Sequence, residues 1–415
     1  MNGRIGAAVM VLGLVLGGVT TVSPLGAAPG ETISFAMLAG YKEDVLRANI
    51  GSFEQQTGIK VAIDASPYND LYQKTLLSLS TSARRYDVMF MDEPWVPGLS
   101  SFLLPLGDVI KGIDLADFVP TTLASGRYKG KQYAMPVDPN VQVFIYRKDL
   151  FQQHNLGVPD TWDDVLRDAQ TLNDPAKEMA GVVTTAGSDQ QTGLYMLLLI
   201  WSYGGDVLGP DGRSVADSPA ARKGASVYVQ LLKYAPLGVQ SYSFADVNKA
   251  VQLGKAAMAI QWASGARPME DKAHSLVAGK LGYAVMPRGD QRTPMRGVWT
   301  IGIAQTTQHQ EAAAKFVQWI TGREFGRAAA LYPATSSAIH SPRFSVLRDP
   351  KIAEALPYAP ALLDNLKIAR ERARVPQWPD IQEQLRLYGA KVSTGAPLGE
   401  TLAQLKASIN DVMNK

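Results

Sequence analysis

Apolar and polar positions along this chain switch repeatedly between two periods. "TISFAML", "IKVAIDAS" and "YDVMFM" are short apolar or alternating runs of strand length. Between them, "KEDVLRANIGSFEQQTG" and "DLYQKTLLSLSTS" have helical spacing; Val45, Ile50 and Phe53 share roughly one face, and Gly58 stands just past the end. This β-α-β-α-β order predicts an open, mostly parallel sheet with helices on both faces. Ligands of such sheets bind beyond the carboxyl ends of the strands. Those ends are "AGYKE", "SPYND" and "DEPW".

A second α/β pattern follows. "QYAMP" and "VQVFIY" read as two strands separated by a hinge at "PVDPN". "TWDDVLRDAQTL" predicts a helix capped near Thr161, "GVVTTA" a strand, and "TGLYMLLLIWSYGG" a helix stopped by Gly204 and Gly205. Beyond a further helix over "ARKGASVYVQLLKYA" come the strands "KAAMAIQW" and "LGYAVMP". "EAAAKFVQWITGREFGRAAALY" is amphipathic and breaks at Gly322, and the tail from Ile352 to Asn414 reads as mainly helical. A chain of 415 residues is expected to divide into about two domains. With no internal repeat, no flexible linker, and a strand that crosses between the halves, more than one crossover is expected.

Composition narrows the setting. The 41 basic and 38 acidic residues nearly cancel, and no basic run suits nucleic acid. Residues 1–28 pair one Arg with a short apolar stretch and small residues, the pattern of a secretory signal peptide cleaved after Ala27 or Ala28. The absence of cysteine means no disulfides and no lipid anchor of the lipoprotein type. The expectation is a protein exported to a bacterial periplasm as a free molecule.

Enzyme chemistry finds little support. His154, His274, His309 and His340 are far apart, each in polar surroundings, and read as solvated; no metal site is expected. There is no nucleophile elbow and no P-loop. A secreted glycan-active enzyme with Asp92 or Asp138 as the acid stays as a minor alternative. Sugar binding is better served. It needs flat aromatic faces for the C–H side of a ring, and carboxylates or amides for its hydroxyls. Tyr41, Tyr68, Asp92, Glu93, Trp95, Asp138, Asn140, Trp262 and Trp299 stand at the loops or the hinge stretch where such groups would be displayed. Core or rim packing is the competing role for each aromatic, more so for Tyr68 and Trp95. Trp162 and Trp319 lie on helical patterns and read as core.

Taken in order, "SFEQQTGIKV", "YDVMFMDEPWVPGLSSFLLPLGD", "YKGKQYAMPVDPNVQVFIYRKDLF" with "GVPDTWDDVLRDAQTL", "GKAAMAIQW" and "RGVWTIGI" resemble the extracellular solute-binding proteins of carbohydrate ABC importers, the family of maltose-binding protein (solute-binding protein family 1). The resemblance covers nearly the whole mature chain. It implies a two-lobe, type II periplasmic-binding-protein fold of the α/β class. It also implies three hinge crossings, at "MPVDPN", near Met295–Trp299 and near Ser337–Pro342. The lobes would be 29–135 with 299–338, and 136–298 with 339–415. By position it implies ligand contacts from Gly40, Tyr41, Asp92, Glu93, Asp138, Asn140, Gln191, Trp262, Gly297 and Trp299. Asp138 and Asn140 would be ready hydrogen-bond partners on the cleft floor.

A thinner aromatic wall than that of maltose-binding protein favours a monosaccharide, disaccharide, polyol or modified sugar over a long maltodextrin. The implied mechanism is lobe closure and delivery to membrane permease subunits by a monomer without cofactors. The main alternative keeps the fold and makes the cargo an anionic sugar. Among Arg343, Arg370, Arg372 and Arg374, Arg372 is the candidate anion contact. The competing role for "ARERAR" is a solvated helix face.

Overall fold

The computed structural model describes residues 30–81, 84–187, 189–333 and 337–415. The expected signal peptide lies outside them. Along the chain the strands are β1 (Thr32–Leu38), β2 (Lys60–Ser66), β3 (Val88–Asp92), β4 (Arg127–Tyr128), β5 (Lys131–Gln132), β6 (Ala134–Arg147), β7 (Ala180–Val183), β8 (Ala256–Trp262), β9 (Leu281–Ala284) and β10 (Arg296–Ile303). Helices Tyr41–Thr57 and Tyr68–Ser80 connect the first three, which pair in parallel in the order β2-β1-β3. The chain steps from β1 outward to β2 and back past β1 to β3, so the strand order reverses at β1/β3, where such sheets bind ligands. In the second half, β7 and β8 also pair in parallel. The strands alternating with helices thus pair as their pattern predicts, and β6 and β10 join them with antiparallel pairings.

The "PVDPN" stretch departs from expectation. It does not separate two strands; β6 continues through it for 14 residues. Its partner β10 sets Thr300 opposite Pro136 and Trp299 opposite Asp138, so Val137 is an extra residue, a β-bulge. A proline has no N–H for a ladder and is tolerated at such an irregularity. From Gln142 onward β6 changes partners to β8 and β9. One strand therefore belongs to both halves of the molecule. Crossings also run at the start of β10 and through residues 337–342. There the His340 N–H donates to Asp138 Oδ1 (2.9 Å), and the Val119 N–H donates to the Pro342 carbonyl (2.9 Å).

The buried side chains form three clusters. One draws on residues 33–137 and 299–339, with Phe35, Phe53, Phe90 and Phe316 in edge contact. A second surrounds the fully buried helix Thr192–Ser202, with Trp162, Trp201 and Trp378. The third joins Val119 and Ala330 to Val141, Val143 and Ile145 on one face of β6 and to the helix Ala359–Ile368. Thr161 caps its helix and Gly322 separates helices Gln310–Ile320 and Arg323–Ala330, both as read from sequence; the cap is a reciprocal box with Asp164. Among the described residues no helix is long and apolar enough to cross a membrane.

The tail holds one correction. "ARERAR" is not a solvated helix face. Residues 369–377 are non-helical and run beside the start of β10, with hydrogen bonds from Arg296 N–H to Arg370 O (3.1 Å) and Arg370 N–H to Pro294 O (2.8 Å). Arg370, Arg372 and Arg374 alternate along this strap, and each finds an acceptor. Arg370 pairs with Asp206 and Arg372 with Asp92, while Arg374 donates to the carbonyls of Glu93, Ser125 and Arg127. These partners, together with Pro376 and its bias against helix in the residue before it, outweigh the helical propensity.

Candidate functional site

A cavity of about 250 Å³ lies where the ends of β1, β3 and β8 meet the middle of β6 and the start of β10. Leu38, Tyr41, Lys42, Tyr68 and Asp92 line it from the first α/β unit, with Trp299 from β10. Gln190, Gln191, Leu194, Phe244, Trp262 and Ser264 face them from the second. Asn140 and Gly297 lie between, and Arg372 and Gln382 come from the tail. A wider cleft of about 740 Å³ shares Tyr68, Gln190, Gln191 and Gln382 with the cavity and continues along Tyr72, Trp95 and the helix Trp378–Ser393.

Seven of the ten expected contacts line this cavity: Tyr41, Asp92, Asn140, Gln191, Trp262, Gly297 and Trp299. Arg372 lines it too. Gly40, Glu93 and Asp138 do not. Gly40 turns the chain from β1 into the helix with φ 95°, a conformation a side chain resists, and its carbonyl receives the Asp44 N–H. Glu93 is buried behind Asp92. It is ion-paired with Arg296 (3.1 Å) and accepts from the Ser125 hydroxyl (2.9 Å). Burial pushes its carboxyl up, against the pull of Arg296 and Arg372.

Asp138 is not the free partner expected of it. Fully buried, it is ion-paired with Lys42 and accepts from both the backbone N–H and the ring Nδ1 (3.1 Å) of His340. Burial alone would raise its pKa; Lys42 and His340 outweigh that and hold it at about 2. Lys42 shows the converse: burial lowers its pKa, and Asp138 with Tyr41 more than restores it. His340 corrects the expectation of a solvated histidine. Its exposure is 0%, and its Nε2 stands 3.3 Å from the Tyr358 hydroxyl. Neighbouring sequence gave no sign of this, because Asp138 is 202 residues away and Tyr358 is 18. Among the described residues no three His, Cys, Asp or Glu converge to hold a metal ion.

The cavity is held in place by specific contacts. Arg372 grips Asp92 with two guanidinium nitrogens, at 2.8 and 2.5 Å, and the Tyr68 hydroxyl donates to the same carboxylate (2.8 Å). Trp299 stacks on Phe90 at 5.0 Å and 9° and meets Tyr68 and Trp95 by their edges. Trp262 donates its indole N–H to Gln191 Oε1 (2.8 Å). It lies so close to Gly297 that a β-carbon there would meet the ring at 2.8 Å, which is why this position has no side chain. The Asn140 NH2 donates to the Ser264 hydroxyl (3.0 Å), while its Oδ1 accepts from the Val141 and Ser264 N–H groups.

Lys42, Gln190, Ser264 and Gln382 were missed from sequence. Lys42 and Gln190 adjoin residues that were chosen and Ser264 lies two beyond another, so a wider window at the same places would have found them. Gln382, on a surface-like helix, carried no signal.

Residues 36–326 match the model of the family described as bacterial extracellular solute-binding protein. A crystal structure of an ABC transporter solute-binding protein from Agrobacterium radiobacter K84 in complex with ribitol aligns with a TM-score of 0.83 and 28% identity, covering 94% of this chain and all of that one. A probable amino-acid ABC transporter periplasmic-binding protein of Sinorhizobium fredii is 25% identical over 86% of this chain and 82% of its own length. The mannitol-binding protein of Pseudomonas aeruginosa is 25% identical over 72% of this chain and 70% of its own. With its strand order, its shared crossing strand and a cavity between the two α/β units, this chain belongs to the bacterial extracellular solute-binding proteins.

Proposed function

We propose that this protein is the periplasmic capture component of an ABC importer, and that its cargo is a small neutral polyol or a sugar of one or two rings. The observation that carries this reading is the cavity itself. At about 250 Å³ it lies just below the usual range of ligand pockets, a size that suits a small cargo. It is lined by Tyr41, Trp262 and Trp299 together with the amides Asn140, Gln190, Gln191 and Gln382. Aromatic faces take the C–H side of a polyol or ring, and amides both donate to and accept from its hydroxyls. The ribitol- and mannitol-binding relatives support the same class of cargo. A micromolar affinity requires about −8 kcal/mol, within reach of several hydrogen bonds and one or two stacked faces.

In this reading the two lobes, 29–135 with 299–338 and 136–298 with 339–415, close on the cargo. The closed form is handed to the permease subunits by a monomer, with no covalent change to the ligand. Closure is favoured by the ligand's higher affinity for the closed state. The test is a thermal-shift screen of the mature protein against polyols, neutral mono- and disaccharides, phosphorylated or sulfonated sugars, and amino acids. Stabilisation by one polyol or neutral-sugar class is the expected result. Stabilisation by amino acids alone, as the name of the Sinorhizobium relative suggests for that protein, would refute the carbohydrate reading. New reducing ends after incubation with oligosaccharides would refute the binding-only mechanism.

A further inference from the structure

Two cations stand on the cavity wall, Lys42 and Arg372, which are 1% and 2% exposed. Unbalanced, they would make the cavity a site for carboxylate or phosphate. Each instead has its own carboxylate. Asp138 is ion-paired with Lys42 and does not reach the cavity, being turned toward His340. Asp92 takes the Arg372 fork in two hydrogen bonds. Both cations nonetheless keep spare donor capacity. The Arg372 Nε is buried and has no partner among the described residues. The Lys42 ammonium has three N–H groups, is bonded to Asp138, and stands 4.5 Å from the Tyr41 ring centre and 5.6 Å from that of Trp299.

We propose that Asp138, a residue that never touches the cargo, sets the charge selectivity of the site through Lys42, and that the Asp92–Arg372 pair does the same on the neighbouring wall. The cavity thereby gains strong cationic donors for hydroxyl oxygens without a net positive charge. A neutral polyhydroxy ligand is accepted, and its carboxylate counterpart gains no compensating charge for the water it must shed. Asp138 is thus a positioning and charge-balancing residue. His340 assists, since its N–H groups occupy the other oxygen and leave Oδ2 to Lys42.

This inference rests on the neutral-polyol reading, and its test separates the two. Binding of ribitol and D-mannitol is compared by calorimetry with binding of ribonate and D-mannonate, which carry a carboxylate at one end. Wild type is expected to prefer the polyol of each pair by at least tenfold. Asp138→Asn keeps the shape of the side chain and an acceptor oxygen but removes the charge, and is expected to shift the ratio toward the aldonate by at least tenfold. In Lys42→Met/Asp138→Asn, where the cation is also gone, the shift should vanish.

An unchanged ratio in folded Asp138→Asn, or a shift that survives in the double variant, would overturn the inference. So would a wild type that binds mannonate as tightly as mannitol. Should Asp138→Asn fail to fold, Asp92→Asn tests the other wall, where Glu93 still stands 3.9 Å from Arg372; a smaller shift toward the aldonate is expected, and an unchanged ratio would overturn the inference. A wild type silent toward both polyols and both aldonates would strike the proposed function instead.

Discussion

The two walls of the cavity are made of different chemistry. The wall from the first α/β unit presents Lys42 and Asp92, backed by Asp138 and the tail's Arg372, with Trp299 packed into the core on Phe90. Opposite stands an uncharged wall of Gln190, Gln191, Phe244, Trp262 and Ser264, whose indole is fixed by one hydrogen bond and by the missing side chain at Gly297. The first wall is anchored by ion pairs whose partners come from distant segments, so its geometry is set by the fold. The second is anchored by neutral hydrogen bonds, from Trp262 to Gln191 and between Asn140 and Ser264, whose partners are also remote along the chain. A perturbation of the first should register in stability and charge selectivity, and a perturbation of the second in affinity as well as stability.

The largest expected effect tests the first wall. Trp299→Ala removes an indole stacked in a buried cluster and should cost about 3–5 kcal/mol of folding stability, read as a lower urea midpoint without ligand. A stability loss within 1 kcal/mol would mean the indole belongs to the site rather than the core. Trp262→Ala should lose both stability and affinity. Its indole is equally buried in the second core cluster, so folding stability falls too, and affinity for the captured polyol should fall by about 2–3 kcal/mol, the cost of truncating a site tryptophan. Calorimetry and denaturation on the same sample decide it.

Next comes pH. Asp138 titrates at about 2 in the folded protein, below its unfolded value near 3.8. Its stabilisation is therefore complete above about pH 4 and is lost as pH falls through 2. The expected loss is about 2 kcal/mol. It should be seen in urea midpoints taken across that window and be absent in Asp138→Asn. Midpoints that fall in parallel for both proteins would assign the acid loss to other carboxylates. The smallest effect sharpens the second wall. Gly297→Ala forces the Trp262 ring aside and should weaken binding about tenfold with the fold intact; unchanged affinity would show that the ring has room to move.

Much of this was legible in the sequence, and the reasons are local. Strand and helix periods, the Thr161 cap and the Gly322 break depend on near neighbours, as does the run of strand ends that places Tyr41, Asp92 and Trp262 at the cavity. What was misread depends on remote partners. Asp138 read as a free acid because Lys42 is 96 residues away and His340 is 202. "ARERAR" read as a helix face because the acceptor of Arg372 stands 280 residues earlier. The prolines of "PVDPN" read as a break because nothing nearby announces that β10 will run beside them and absorb a bulge.

That bulged strand has a mechanical consequence. Because β6 is continuous and is laced into β10 at one end and into β8 and β9 at the other, the two halves cannot swing about a loose tether. Any closing motion has to flex a leaf spring. The ladder along that spring is interrupted at Val137, the extra residue of the bulge, which stands between Pro136 and Pro139, neither of which donates an amide hydrogen. The irregularity sits one residue from Asp138, so the crossing strand and the charge of the binding wall share the same short stretch.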